Sequence, residues 1–383
     1  MKMNRQVRTI ASSVSLVVLF VALNCAGSTS AAAIDLRATE LRQPTFDGWP
    51  LSLSPDGRRL AVARPSKLCL LDAATLAEEH CVDMAPKTGI DMETLAWSPD
   101  GRRLAFTEEA PRFLIDSDLW VLDAETGQLT DLTDDGIAGL NSALKPGALL
   151  DLAPAWSPDG SKIAFARSVS GAFDSSALYV IDANGGDPRH LTGIAAELFA
   201  VEAGVRWAPD GKTIYYSVRV HQSAQGFNGV WRVGVDGRNA SRLFDARDAR
   251  QGSPYLAELS ARGTALLLYP DAVFGPIDFV PLFAVADLTT LRVSDIVPVD
   301  STPLGTIAVA TFSPDGSLLL LGDGNGRVLV RDGVSGNQRV LVEELDLLLI
   351  PRDFGGGMDW ATNGLVFGTT GTKSGVLLRL VAG

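Results

Sequence analysis

The side chains here that could transfer protons, bind metals or act as nucleophiles are three histidines, three cysteines and a recurring set of carboxylates. His80 and His190 fall in segments that read as outer strands, and His221 stands by itself in a loop. Neither a catalytic triad nor a His/Cys zinc cluster can be assembled from them. There is no Gly-x-Ser-x-Gly elbow, and Gly333-Val334-Ser335-Gly336 reads as a turn between two strands. Gly322-Asp323-Gly324-Asn325-Gly326 is like part of a calcium loop, but it lacks the distal glutamate and leads into another strand, so a hairpin turn is expected. Acidic residues recur where innermost strands begin: Asp47, Asp91 with Glu93, Asp151, Glu202 and Asp353. Such a ring of carboxylates is a candidate shallow site for calcium or another divalent cation, or a dock for a basic segment; solvation of an acidic surface is the plainer reading. No catalytic residue and no other cofactor is expected.

The cysteines speak to compartment. Lys2, Arg5 and Arg8 precede the apolar run Ser15 to Leu23, and small residues follow from Ala26 to Ala33, the three-part pattern of an export signal covering residues 1–33. Two processing routes fit. Ala31-Ala32-Ala33 suits ordinary signal peptidase and a soluble product, whereas Ala22-Leu23-Asn24-Cys25 resembles a bacterial lipobox in which Cys25 would carry lipid. Asn24 and Ala22 both depart from the favoured lipobox residues. Cys69 and Cys81 remain as an even pair in an oxidising compartment, and the strands Lys67 to Asp72 and Glu78 to Asp83 set them opposite one another, so a cross-strand disulfide is expected. Periplasm or cell envelope is the expected location, by lipid anchor or free, with secretion as the alternative.

Charge narrows the partners. The net charge is −12, and the leader removes three basic residues and no acidic ones, leaving −15. Nucleic acid and anionic lipid should be repelled, so membrane contact is expected only through a lipid on Cys25.

The elements that would position any site come from an internal repeat. LSLSPDGRRLAVA begins at Leu51, LAWSPDGRRLAFT at Leu95, PAWSPDGSKIAFA at Pro154, VRWAPDGKTIYYS at Val205 and ATFSPDGSLLLLG at Ala310. Two eroded copies begin at Leu256 and Gly357. The motif glycines Gly57, Gly101, Gly160, Gly211, Gly263, Gly316 and Gly364 lie 44 to 59 residues apart, about one propeller blade each. Proline presets the first turn dihedral, aspartate suits the next position, and glycine takes the left-handed conformation that ends the hairpin. A second strand pair follows each hairpin, clearest in Asp118 to Asp123, then Glu125-Thr126-Gly127, then Gln128 to Thr133. The last repeat stops after three strands, and Asp35 to Arg42 can supply the fourth. The expected fold is an all-β, seven-bladed propeller over residues 34–383, closed by its N-terminal strand. Trp97, Trp156, Trp207 and Trp360, with Phe312 and Leu53 at the equivalent place, are expected to fill gaps between blades.

This pattern resembles the TolB-type, WD-like propeller family, in which Trp-Ser-Pro-Asp-Gly is followed by a Leu-Tyr-Val-x-Asp strand and a Leu-Thr close. The resemblance spans Ile34 to Gly383 and implies a propeller without the α/β domain of Tol-Pal members or the hydrolase domain of prolyl oligopeptidase relatives. Propellers host unrelated tasks, so the resemblance fixes no activity.

Loop lengths carry the functional expectation. Long connections gather on one face, at 136–151, 193–204, 219–228, 270–281 and 345–357, and several are apolar, including the stretch with Phe274 and Phe279. A monomeric, non-enzymatic scaffold is expected, holding an envelope protein or peptide on a rim that includes Asp91, Glu93, Asp151, Glu202, Phe274, Phe279 and Asp353. The enzymatic alternative is a metal-assisted polysaccharide lyase or hydrolase, and a third reading is a small-ligand sensor.

Overall fold

The computed structural model describes residues 35–84, 95–107, 117–137, 145–169, 176–191, 204–218, 229–245, 254–270, 283–296, 307–323, 325–345, 357–369 and 373–382. Its strands form seven four-stranded antiparallel sheets, the blades of a β-propeller. The first strand, β1 (Leu36–Arg42), belongs to blade 7, and blade 1 holds β2 (Trp49–Leu53), β3 (Arg59–Arg64), β4 (Lys67–Asp72) and β5 (Glu78–Asp83). Blade 2 holds β6 (Ala96–Trp97), β7 (Arg103–Thr107), β8 (Leu119–Asp123) and β9 (Leu129–Asp131). Blade 3 holds β10 (Leu149–Trp156), β11 (Lys162–Val169), β12 (Ser176–Asp182) and β13 (Arg189–His190). Blade 4 holds β14 (Arg206–Trp207), β15 (Thr213–Val218), β16 (Gly229–Gly234) and β17 (Ser241–Asp245). Blade 5, one of the eroded repeats, still completes β18 (Pro254–Leu259), β19 (Ala265–Pro270), β20 (Ala284–Asp287) and β21 (Arg292–Asp295). Blade 6 holds β22 (Ile307–Phe312), β23 (Leu318–Asp323), β24 (Val328–Asp332) and β25 (Gln338–Val342). In blade 7, β26 (Gly357–Trp360), β27 (Leu365–Thr369) and β28 (Gly375–Ala382) are joined by β1, which pairs antiparallel with β28 from Leu36↔Ala382 to Arg42↔Leu377.

The repeated phrase builds its hairpin in a uniform way. Gly57 N–H donates to the Ser54 carbonyl at 2.8 Å, and the seven motif glycines take φ between +65° and +80°, the region that a Cβ resists. The motif serine does what its neighbours cannot. Ser54 Oγ donates to Asp56 Oδ1 at 2.6 Å and accepts the Arg59 N–H at 2.9 Å, so one hydroxyl ties the turn to the returning strand. Ser98 with Asp100, Ser157 with Asp159 and Ser313 with Asp315 repeat the bond. In blade 4 alanine replaces the serine, and Asp210 Oδ1 accepts the Lys212 and Thr213 N–H groups directly.

These turns store an acid sensitivity. The hydroxyl of Ser157 and the groups of Ser161 hold Asp159 down to about 2, and Ser313 with Ser317 holds Asp315 to about 2, against an ordinary 3.8. A carboxyl depressed in the folded state contributes stability above its unfolded value and loses it as pH falls through the folded one. The melting temperature, followed by circular dichroism, should therefore fall between pH 3.8 and about pH 2, and a Ser157→Ala, Ser313→Ala double variant should show a shallower fall over that window.

Packing repeats between blades. Seven buried clusters each join neighbouring sheets: one brings Leu51, Leu68 and Leu70 of blade 1 against Trp97, Leu104 and Phe106 of blade 2, and another brings Leu53 and Leu60 of blade 1 against Leu365 and Phe367 of blade 7. Both faces of each sheet are thus buried, which is why the inner strands read as continuous apolar runs. Cys69 and Cys81 pair across β4 and β5 and are bonded to each other. Closing this loop of 12 residues' separation should contribute about 2–3 kcal/mol, measurable as the loss in urea midpoint for a Cys69→Ala, Cys81→Ala double variant.

Candidate functional site

The innermost strands of the seven blades surround a cavity of about 500 Å³ at the end of the ring that carries the motif turns. Two residues of each strand build its wall. One is the tryptophan position, filled by Leu53, Trp97, Trp156, Trp207, Leu259, Phe312 and Trp360; the other is the residue just before it, filled by Ser52, Ala96, Ala155, Arg206, Glu258, Thr311 and Asp359. Strand alternation sends these two positions to opposite sides. The tryptophans look back: Trp156 Nε1 donates to the Ala96 carbonyl of the preceding blade at 2.8 Å, and Trp207 Nε1 to Ala155 at 3.0 Å. The preceding position looks forward: Arg206 donates to the Ala257 carbonyl, Glu258 Oε2 accepts the Phe312 N–H at 3.0 Å, and Asp359 Oδ2 accepts the Leu53 N–H at 2.9 Å. The ionisable groups of the cavity are therefore engaged in joining adjacent blades, and Asp359 does so across the closure between blade 7 and blade 1.

A second cluster lies at the opposite end, between blades 2 and 3. Asp151, the third residue of β10, is fully buried, and its two carboxylate oxygens accept Arg167 Nε and Nη2 at 2.7 Å each. Burial pushes the Asp151 carboxyl up, opposed by the Arg167 fork, while Arg167 is held cationic by that carboxylate despite its own burial. The guanidinium also lies over the rings of Phe165 and Tyr179, at 5.2 and 5.4 Å. The backbone stitches the same place: Asp151 N–H donates to the Ser117 carbonyl at 2.8 Å, and Ser117 Oγ to the Asp151 carbonyl at 2.9 Å. Beside this pair, carboxylate oxygens of Asp118, Asp131 and Asp134 lie within 4.8 Å of one another. All-oxygen donors of this kind suit a hard divalent cation such as calcium or manganese. Arg167 already supplies positive charge close to Asp118.

The sequence-derived site residues fare differently. Asp151 was expected on the rim where an innermost strand begins; it is the third residue of β10, and its carboxylate faces Arg167 instead of solvent. Asp47 stands before β2 with an exposed side chain, as expected. Asp91, Glu93, Glu202, Phe274, Phe279 and Asp353 lie outside the described residues, as do Cys25 and His221. His80 and His190 lie in β5 and β13, the outermost strands of their blades. Asp323, in the calcium-loop look-alike, is buried; its Oδ1 accepts the Asn325 and Arg327 N–H groups and its Oδ2 accepts Arg327 Nε at 2.7 Å, so this is the expected turn between β23 and β24. Sequence reasoning missed Asp118, Asp131 and Asp134. The acid-rich run Asp131-Leu-Thr-Asp134-Asp135 was a visible signal, but its proximity to Asp118 depends on the pairing of β8 with β9.

Comparison with known proteins agrees with this architecture. Residues 67–178 match the family described as the dipeptidyl peptidase IV N-terminal region, a propeller-type domain. No curated protein matches the chain. Among solved structures, an oligogalacturonate lyase in complex with manganese superposes with a TM-score of 0.59 at 14% identity, over 90% of this chain and 92% of that one. The oligogalacturonate lyase of Vibrio parahaemolyticus gives 0.58 at 15% identity, over 91% and 94%. The Swd1 β-propeller domain from Myceliophteria thermophila gives 0.57 at 12% identity, over 88% and 99%. At these identities the likeness is one of fold.

Proposed function

We propose that this chain is an exported, non-enzymatic propeller of the bacterial envelope, of the TolB-like kind, that holds a protein or peptide partner on its long-loop face. The observation that carries this reading is the state of the cavity wall: Arg206, Glu258 and Asp359 each bond to the backbone of the next blade, which suits a rigid scaffold better than an acid/base pair aimed at a substrate. Binding loops set on a rigid frame are a common way to place a recognition surface. The test replaces Phe274 to Phe283 with a Gly-Ser segment of equal length and repeats cross-linking in envelope extracts. The partner captured by the native chain should be lost; undiminished capture overturns the reading.

A specific likeness favours a second reading. The manganese-bound oligogalacturonate lyase shares the fold, and Asp118, Asp131 and Asp134 form a carboxylate group near the long-loop end. Under that reading the chain is a metal-assisted polysaccharide lyase. Incubation with oligogalacturonate and manganese would then yield an unsaturated sugar end absorbing in the ultraviolet, and Asp131→Asn would abolish it. No unsaturated product removes this alternative.

A further inference from the structure

The disulfide of blade 1 has unusual company. Arg64 Nη1 lies 3.4 Å from Cys69 Sγ and 3.5 Å from Cys81 Sγ, and the same nitrogen donates to Glu78 Oε2 at 2.6 Å. Arg64 Nε is anchored on the Asp47 carbonyl at 2.8 Å, so the guanidinium is held against the two sulfurs. A disulfide sulfur is a weak acceptor, whereas a thiolate is a strong one, so this cation interacts far more strongly with the reduced pair than with the bonded one. The two sulfurs and the Glu78 carboxylate lie within 4.8 Å of one another. Two thiolates and one carboxylate at that spacing are three of the four ligands that a tetrahedral zinc site requires.

We propose that Cys69, Cys81 and Glu78 form a redox-gated site for a thiophilic divalent cation, zinc by class, closed when the disulfide is formed and opened by a dithiol reductant. The reduction balances in two steps. A reductant thiolate attacks the Sγ of Cys81, which is half-buried on the outermost strand of its blade; the sulfur–sulfur bond breaks and Cys69 leaves as a thiolate beside Arg64. The reductant's second thiol then displaces Cys81, so two thiols appear in the protein and one cyclic disulfide in the reductant. Metal binding expels the remaining thiol protons and draws Glu78 from Arg64 to the cation. The pairing of β3 with β4 and of β4 with β5 holds the ligands in register after the sulfur bond is gone.

The experiment uses the full chain with Cys25→Ala, so that this pair supplies the only thiols. The protein is reduced with dithiothreitol, the reagent is removed under argon, and Cd²⁺ is titrated while thiolate-to-metal charge transfer is followed in the ultraviolet, with circular dichroism reporting the fold. The expected result is one Cd²⁺ per reduced chain and none for the oxidised chain. Cys81→Ser should abolish binding, and Glu78→Gln should weaken it by more than the roughly 10- to 100-fold that loss of an outer-shell partner costs. Arg64→Ala should slow reduction by dithiothreitol, because the leaving thiolate loses its cation. A folded chain that resists dithiothreitol overturns the proposal. So does a reduced, folded chain that binds no Cd²⁺, or equal binding by Cys81→Ser.

Discussion

Replacing Arg167 with alanine should lower the unfolding free energy by about 3–5 kcal/mol, because it strands the Asp151 carboxylate in the interior without its partner. The pair is well placed for a large effect: the Asp151 side chain is 1% exposed and that of Arg167 10%, with two bonds of 2.7 Å between them. Asp151→Ala should cost less, because the guanidinium loses its forked partner but keeps the nearby Asp118 charge. The double variant Asp151→Leu, Arg167→Met should recover much of the loss, since it removes both charges and keeps apolar volume against Phe165 and Tyr179. Urea denaturation of the three variants separates the cost of an orphaned charge from the net worth of the pair. The Arg167→Ala variant should also respond to acid in the opposite sense to the motif turns. A carboxyl raised by burial contributes stability that is present below its ordinary 3.8 and lost as pH rises through the folded value, so mild acid should partly rescue this variant.

The second large effect is expected from Trp156→Ala, at about 3–5 kcal/mol. Trp156 is 7% exposed and sits among Ala105, Val121 and Ile163 between blades 2 and 3. Its indole donates to Ala96, and the Arg103 guanidinium lies 4.5 Å from the ring centre while bonding onward to the Gly160 carbonyl. Truncation therefore removes apolar burial, one inter-blade bond and a cation–π contact together. Trp156→Phe keeps most of the burial and deletes the donor, so it should cost about 1 kcal/mol for that bond plus whatever repacking the smaller ring requires. Thermal melts of the two variants read the difference; equal losses would show that the indole N–H, not the ring volume, holds the blades together.

Much of this fold was legible in the sequence because its turn chemistry is local. Pro, Asp and Gly set three successive dihedrals, so the hairpins could be placed from their residues. β4 and β5 fall on the expected Lys67–Asp72 and Glu78–Asp83, with Cys69 opposite Cys81. Both eroded repeats, at Leu256 and Gly357, complete four-stranded sheets, because the turn glycines Gly263 and Gly364 survive. What sequence did not disclose depends on which sheet lies beside which. The serine of the motif reads as one turn residue among several, yet its hydroxyl closes the hairpin. The residue before each tryptophan carries no pattern at all, running from Ser52 through Arg206 to Asp359, and its role appears only when the next blade's backbone stands beside it. Asp151 read as a rim carboxylate at a strand start because nothing in its neighbourhood announces Arg167, 16 residues later on the facing strand.

The seal between β1 and β28 has a consequence for how the molecule comes into being. β1 precedes the other described strands yet finds its sheet partner only when β28 has left the ribosome, so a nascent chain carrying six finished blades is an unclosed arc. A premature stop before Gly375 would remove β28, deny β1 its place, and leave β27 with an unsatisfied edge ready to recruit another molecule. Stop codons placed just before Gly375 should accordingly give insoluble product.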